Sequence, residues 1–268
     1  MKFIKLFVVI SFAFCTLGYG QHTVSKQVST FTIEATQLQT QKKIWVYLPK
    51  NYSETTLDYP VFYMQDAQNL FDAKTSYAGE WQIDEYLDSL TNQNVIIIGI
   101  EHGNEKRMEE LTPFPHDTYG GGKADMYLDF IINTLKPQID ATYRTLKDPK
   151  DTTIFGSSLG GLLSFYAVIK HPEIFGNAGV FSPSFWFSNA IFDLVSKSEI
   201  SQSSRFYFLS GSNESETMVP DQQKMVALLL EKGVPGHHIK STIIEGGQHN
   251  EALWRDHFPE AYQWIIKN

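Results

Sequence analysis

The chain has 268 residues, of which 42% are hydrophobic, 14% aromatic and 19% charged, a composition that supports a sizeable core and excludes a disordered, collagen-like or coiled-coil protein. With 22 Lys and Arg against 30 Asp and Glu and a net charge of -8, it has no basic surface for nucleic acid. One cysteine excludes internal disulfides and thiolate-bound metal centres, and no motif asks for a metal or cofactor.

The elements follow in chain order. Lys2 and Lys5 precede an apolar run over residues 6–17, and Gly18-Tyr19-Gly20 supplies small residues where a signal peptidase reads them. Residues 1–20 are expected to be a secretory signal cleaved before Gln21. Residues 21–268 are then one exported domain, periplasmic or extracellular, without a membrane span. Strand patterns occupy 29–35, 43–48, 60–65, 95–100, 152–155, 177–181, 205–209 and 239–244. Helical spacing marks 125–139, 159–170, 221–232 and 258–266. Strands alternating with helices predict an α/β fold, with a mostly parallel sheet of about eight strands and helices on both faces.

The strand at 152–155 runs into Gly156-Ser157-Ser158-Leu159-Gly160-Gly161, which fits G-x-S-x-G with Ser158 at its centre. A serine on a sharp strand-to-helix turn needs neighbours without side chains, and Gly156 and Gly160 meet that need. The turn sets the hydroxyl at a helix end, where the dipole favours negative charge. No Gly-Lys-Ser/Thr follows, so the loop is not a phosphate-binding P-loop. A serine nucleophile requires a base. Of eight histidines, His249 stands directly after the last strand, behind Gly246 and Gly247, which let the loop bend back over the strand ends. His237 and His238 precede that strand, and His257 sits in the closing helix. The strand at 205–209 opens into a loop with two carboxylates. Glu214, three residues past Gly211, is the first candidate to orient the base, and Glu216 the second. For the oxyanion, two backbone N–H groups are expected, one from Leu159 and one from Gln68 in the loop after 60–65.

These residues resemble the esterase family of the α/β-hydrolase superfamily that includes the enterochelin-esterase-like, esterase D-like and carbohydrate-esterase-family-1 proteins. The resemblance runs from about Lys43 to Ile266. It is carried by Tyr63-Met64-Gln65-Asp66-Ala67-Gln68-Asn69-Leu70-Phe71, Tyr143-Arg144-Thr145, Gly156 to Gly161, Phe181-Ser182-Pro183-Ser184-Phe185-Trp186 and His249-Asn250-Glu251 with Trp254-Arg255. It implies the α/β-hydrolase fold and carboxylic ester hydrolysis by a serine, histidine and acid triad, without a cofactor. Two residues depart from the pattern: Ala67 where glycine is commoner, and glutamate where many relatives carry aspartate.

Trp186, between Phe185 and Phe187, is expected to bind substrate, as is Trp81, read as part of the helix after the oxyanion loop. Arg107 is expected either to meet an anionic group of the substrate or to pair with a carboxylate. The substrate is read as a small-molecule or oligosaccharide ester. A catecholate trilactone siderophore comes first; feruloyl or acetyl esters of plant polysaccharide fragments come second. Acyl transfer is the rival reaction, and a binding module on an inactive hydrolase fold the rival without catalysis.

Overall fold

The computed structural model describes residues 22–91 and 95–267. The expected secretory signal, residues 1–20, lies outside the described residues. Among the described residues no helix is long and apolar enough to cross a membrane.

The first half of the chain forms β1 (Val28–Ala35), β2 (Thr40–Tyr47), β3 (Val61–Gln65), α1 (Ile83–Ser89), β4 (Ile96–Ile100), α2 (Arg107–Leu111), β5 (Pro115–His116), β6 (Gly120–Gly121), α3 (Ala124–Phe130) and α4 (Lys136–Thr142). The second half forms β7 (Thr152–Ser157), α5 (Leu159–Lys170), β8 (Asn177–Phe181), α6 (Ala190–Lys197), β9 (Arg205–Gly211), α7 (Met218–Glu231), β10 (Ile239–Ile244) and α8 (Glu251–Ile266). Eight strands form one sheet in the order β1-β2-β4-β3-β7-β8-β9-β10, and β5 pairs with β6 in a short separate ribbon. The β1/β2 and β2/β4 pairs are antiparallel. From β4 across to β10 every pair is parallel. This is the α/β-hydrolase architecture, and the eight expected strands all lie in the main sheet.

Alternating side chains divide the core into two layers. On β3, Val61 and Tyr63 join one cluster while Phe62 and Met64 join the other. On β4, Ile96, Ile98 and Ile100 face the first layer and Ile97 the second. The first layer packs under α3, α5 and α7 through Leu128, Leu163, Phe165 and Met225. The second packs under α1 and α8 through Ile83, Leu87, Phe258 and Tyr262.

Two expected helices differ from their patterns. The one read over 125–139 is α3, a π-helical turn over Ile131–Leu135, and α4. Pro137 opens α4 and cannot donate to the turn before it, so the wider turn takes up the break. The closing helix begins at Glu251, not 258, because the Asn250 side chain accepts Leu253 N–H at 3.0 Å and caps it; Pro259 lies inside the helix. Trp81 is not in a helix: α1 starts two residues later, at Ile83.

Candidate active site

The parallel strands bring the carboxyl ends of β3, β7, β8, β9 and β10 to one edge of the sheet, where ligands of open α/β sheets bind. Ser158 follows β7 with φ 57° and ψ -121°, a strained conformation for a residue with a side chain. The turn closes so tightly that a Cβ on Gly156 would lie 2.7 Å from the Gly160 carbonyl carbon, and one on Gly161 would lie 2.6 Å from Phe181 O. Phe181 O also accepts Ser158 N–H at 2.9 Å. The Ser158 hydroxyl lies 3.3 Å from Ser184 Oγ, and Ser184 N–H donates to Ser158 O at 3.1 Å.

His249 leaves the loop after β10, and its Nδ1 is 2.7 Å from Glu214 Oε2. The Glu214 side chain is 1% exposed and the imidazole 37%. Glu214 Oε1 accepts two further hydrogen bonds, from Gly211 N–H at 2.5 Å and from Ser182 Oγ–H at 2.7 Å. Ser182 Oγ in turn accepts from Trp254 Nε1–H at 2.8 Å. The indole of Trp254 stands edge-on to His249, with centroids 5.1 Å apart at 88°. Glu216 is exposed on the same loop. The Ser158 hydroxyl is within hydrogen-bonding distance of Ser184 Oγ, at 3.3 Å.

Leu159 N–H is the first amide of α5, one of the helix-opening N–H groups that have no intrahelical acceptor. Gln68 is the middle residue of the 3-10 turn Ala67–Asn69. That turn starts from Asp66 in the left-handed region, φ 56°. Asp66 is gripped by Arg107 in a two-pronged ion pair, Nε to Oδ1 at 2.7 Å and Nη2 to Oδ2 at 2.8 Å. Burial alone would lower the pKa of Arg107, but the charge and hydrogen bonds of Asp66, together with the charge of Glu251, outweigh it and raise it. Both residues line a cavity of about 280 Å³ at Ser158, together with Asn69, His102, Glu251 and Trp254. A cleft of about 320 Å³ by Pro60, Thr153 and Asn177 lies where β7 and β8 begin, at the opposite end of the sheet.

Aromatic side chains gather on one flank. Trp186, two residues past Ser184, is 50% exposed and Tyr119 54%. Their rings are 6.2 Å apart, and His116 lies 4.7 Å from Tyr119 and 6.3 Å from Trp186. Trp81 sits differently from its expected role. Only 4% exposed, it stacks on Phe181 at 5.9 Å and against Trp254 at 5.8 Å, so its ring is core packing. Sequence reasoning does not single out Ser182, Ser184, Trp254 or Asp66 as parts of the site. All four stand in the quoted motifs, but their contacts span tens of residues and have no periodic signal.

Elsewhere, Glu80, Asp84 and Glu85 hold one carboxylate oxygen each within 4.8 Å of one another. Burial, against a hydrogen bond from Ser25 N–H and with the neighbouring Glu85 carboxyl, pushes Asp84 up to about 8, so it is largely protonated at neutral pH.

The family described as "Putative esterase" matches residues 35–265. The uncharacterized protein YbbA of Bacillus subtilis (strain 168) is 29% identical over 241 residues, 84% of this chain and 92% of that protein. The siderophore triacetylfusarinine C esterase of Aspergillus fumigatus is 28% identical over 136 residues, 48% of this chain and 46% of that protein. The crystal structure of the BES protein from Bacillus cereus matches with a TM-score of 0.71 at 20% identity, over 91% of this chain and 97% of that chain, a likeness of fold. The family match takes in the sheet from β2 to β10 and all the strand ends that converge on Ser158, so the chain belongs to this esterase family of the α/β-hydrolase superfamily and is a carboxylic ester hydrolase.

Proposed function

We propose that this enzyme is an exported serine esterase that works through Ser158, His249 and Glu214 and an acyl-enzyme intermediate. The observation that carries this reading is the 2.7 Å contact between His249 Nδ1 and a Glu214 carboxylate that is 1% exposed. A buried acid on Nδ1 fixes the imidazole tautomer with Nε2 free to take a proton. Ser158 Oγ adds to the ester carbonyl while its proton passes to His249 Nε2. The carbonyl electron pair moves onto oxygen, which accepts from the N–H groups of Leu159 and Gln68. Collapse of the tetrahedral species breaks the bond to the alcohol, and the imidazolium returns its proton to the leaving oxygen. Water then attacks acyl-Ser158 by the same route, giving the free acid and resting enzyme. No metal or cofactor enters these steps.

The substrate we favour is a small ester carrying aromatic rings, of the catecholate trilactone siderophore class. Trp186 and Tyr119 offer an exposed aromatic ledge with half-buried His116 against both rings, and Trp186 stands two residues past Ser184, whose hydroxyl meets that of Ser158. Arg107 spends two of its nitrogens on Asp66, so of its two expected roles it takes that of partner to a carboxylate. The siderophore esterase among its relatives supports a siderophore ester as the substrate. Export rests on the leader pattern in residues 1–20.

The deciding experiment labels residues 21–268 with a fluorophosphonate and maps the adduct, with Ser158→Ala as control. Labelling at Ser158 that vanishes in the control supports an activated serine. An ester panel comes next: catecholate trilactones, feruloyl sugars and acetylated sugars, each with and without an alcohol acceptor. Faster turnover of feruloyl sugars would shift the substrate to plant-derived esters, and product appearing mainly on the acceptor would make the enzyme a transferase. A folded protein that takes no label would be a binding module.

A further inference from the structure

We infer that Ser182 and Trp254 are positioning residues that set which nitrogen of His249 acts as the base, a role that rests on the proposed triad. The argument is one of hydrogen-bond direction. An indole N–H can only donate. Trp254 Nε1–H therefore occupies a lone pair of Ser182 Oγ, 2.8 Å away. The single hydroxyl proton of Ser182 is then free to point only at its other neighbour, Glu214 Oε1 at 2.7 Å. Gly211 N–H, 2.5 Å away, takes the same oxygen. With Oε1 supplied by two donors, Oε2 is left for His249 Nδ1–H at 2.7 Å, and Nε2 carries the free lone pair.

Two further observations support a purpose beyond packing. Ser182 is fully buried and holds φ 43°, a left-handed conformation in which glycine would be less strained. A hydroxyl retained at that backbone cost matches the demand of the carboxylate beside it. Trp254 also stands edge-on to the imidazole at 5.1 Å. It lies in the first turn of α8, whose start is fixed by the Asn250 cap. One indole thus limits both the tilt of the imidazole and, through Ser182, the rotation of the carboxylate.

The test uses Ser182→Gly, which removes the hydroxyl while relieving the backbone, and Trp254→Phe, which keeps a ring against His249 but loses the N–H. Hydrolysis of p-nitrophenyl acetate is followed against pH for both, with thermal unfolding measured in parallel. Ser182→Gly is expected to lower kcat roughly ten- to a hundred-fold at constant KM, the usual effect of losing a partner behind a functional imidazole. Trp254→Phe should lower it by a smaller factor. In both, the acid limb of kcat/KM should move to lower pH, because the imidazolium loses its fixed counter-charge. The far-downfield proton resonance of His249 Nδ1–H should weaken. Parent values of kcat, acid limb and proton resonance in folded Ser182→Gly would overturn the inference, as would a rate loss that only tracks unfolding. Glu214→Gln separates the two levels. If it retains full activity, the triad itself is wrong; if it is slow while Ser182→Gly is not, only the positioning role fails.

Discussion

The two sides of the site are built to different standards of order. On the acid side, Glu214 is 1% exposed and both carboxylate oxygens have fixed partners, drawn from the ends of β8 and β9 and from the loop after β10. On the open side, the Ser158 hydroxyl meets another hydroxyl at 3.3 Å, and Trp186, Tyr119 and Tyr77 stand 50%, 54% and 94% exposed. The buried side has little room to adapt, whereas the open side can accommodate side-chain movement. The proposed function places chemistry in the first and selectivity in the second, and on that proposal substitutions in each should fail in different ways.

The largest effect should come from the chemical centre. Ser158→Ala or His249→Ala is expected to lower kcat by roughly 10⁴–10⁶-fold, with fluorophosphonate labelling abolished in the serine variant. Steady-state rates on p-nitrophenyl acetate measure the loss. Next, Glu214→Gln should cost roughly 10⁴-fold by favouring the wrong tautomer, whereas Glu216→Gln, on an exposed side chain, should leave the rate at its parent value. If the two glutamines were equally harmful, the buried carboxylate would not be the one that matters.

On the open side the effect should be smaller and selective. Trp186→Ala is expected to raise KM about 2- to 10-fold for aromatic esters and to leave acetyl esters alone, the size of a lost ring contact. An equal change for both would mean that the ledge is only a lip of the fold. The smallest effect concerns stability. Asp84, on α1, is pushed up to about 8, from 3.8 for the free side chain. The folded protein thus holds a proton that the unfolded chain releases near pH 3.8. The stabilisation from this group is complete below that pH, is lost as pH rises to about 8, and is flat beyond. Tm should fall over that window, and Asp84→Asn should flatten the fall. Because Tyr86 of α1 packs on Phe258 and Tyr262 of α8, the helix that carries Trp254, the same scan monitored by activity reports whether the rigid side loosens with pH.

Much of the scaffold is legible in the sequence because its signals are local. Apolar runs such as 95–100 mark the buried strands, and the candidate triad residues are those standing just beyond a strand end. That rule locates Ser158, Glu214 and His249, and the fold brings the last two into contact. Contacts made by chain crossings are out of its reach. Asp66 and Arg107 are a motif aspartate and the first residue of α2, with no shared pattern, so the arginine's partner stays open in the sequence. Trp81 is misplaced there because an aromatic near a catalytic loop reads the same whether it faces solvent or core; only the positions of Phe181 and Trp254 decide that it is enclosed. The start of α8 is placed too late at 258, because the cap that sets the true start is one side-chain hydrogen bond from Leu253 N–H to Asn250.

Gly211 and Gly247 meet backbone to backbone: a Cβ on Gly211 would fall 2.2 Å from Gly247 O, and one on Gly247 would fall 2.9 Å from Gly211 Cα. Asn213 N–H adds a hydrogen bond to Gly247 O at 2.9 Å across the same seam. The loops bearing Glu214 and His249 are therefore one mechanical part made from two stretches of chain. A protein engineer grafting this chemistry onto another scaffold would have to move both loops and both glycines together, and a library that varied either loop alone would mostly sample enzymes with a separated acid and base.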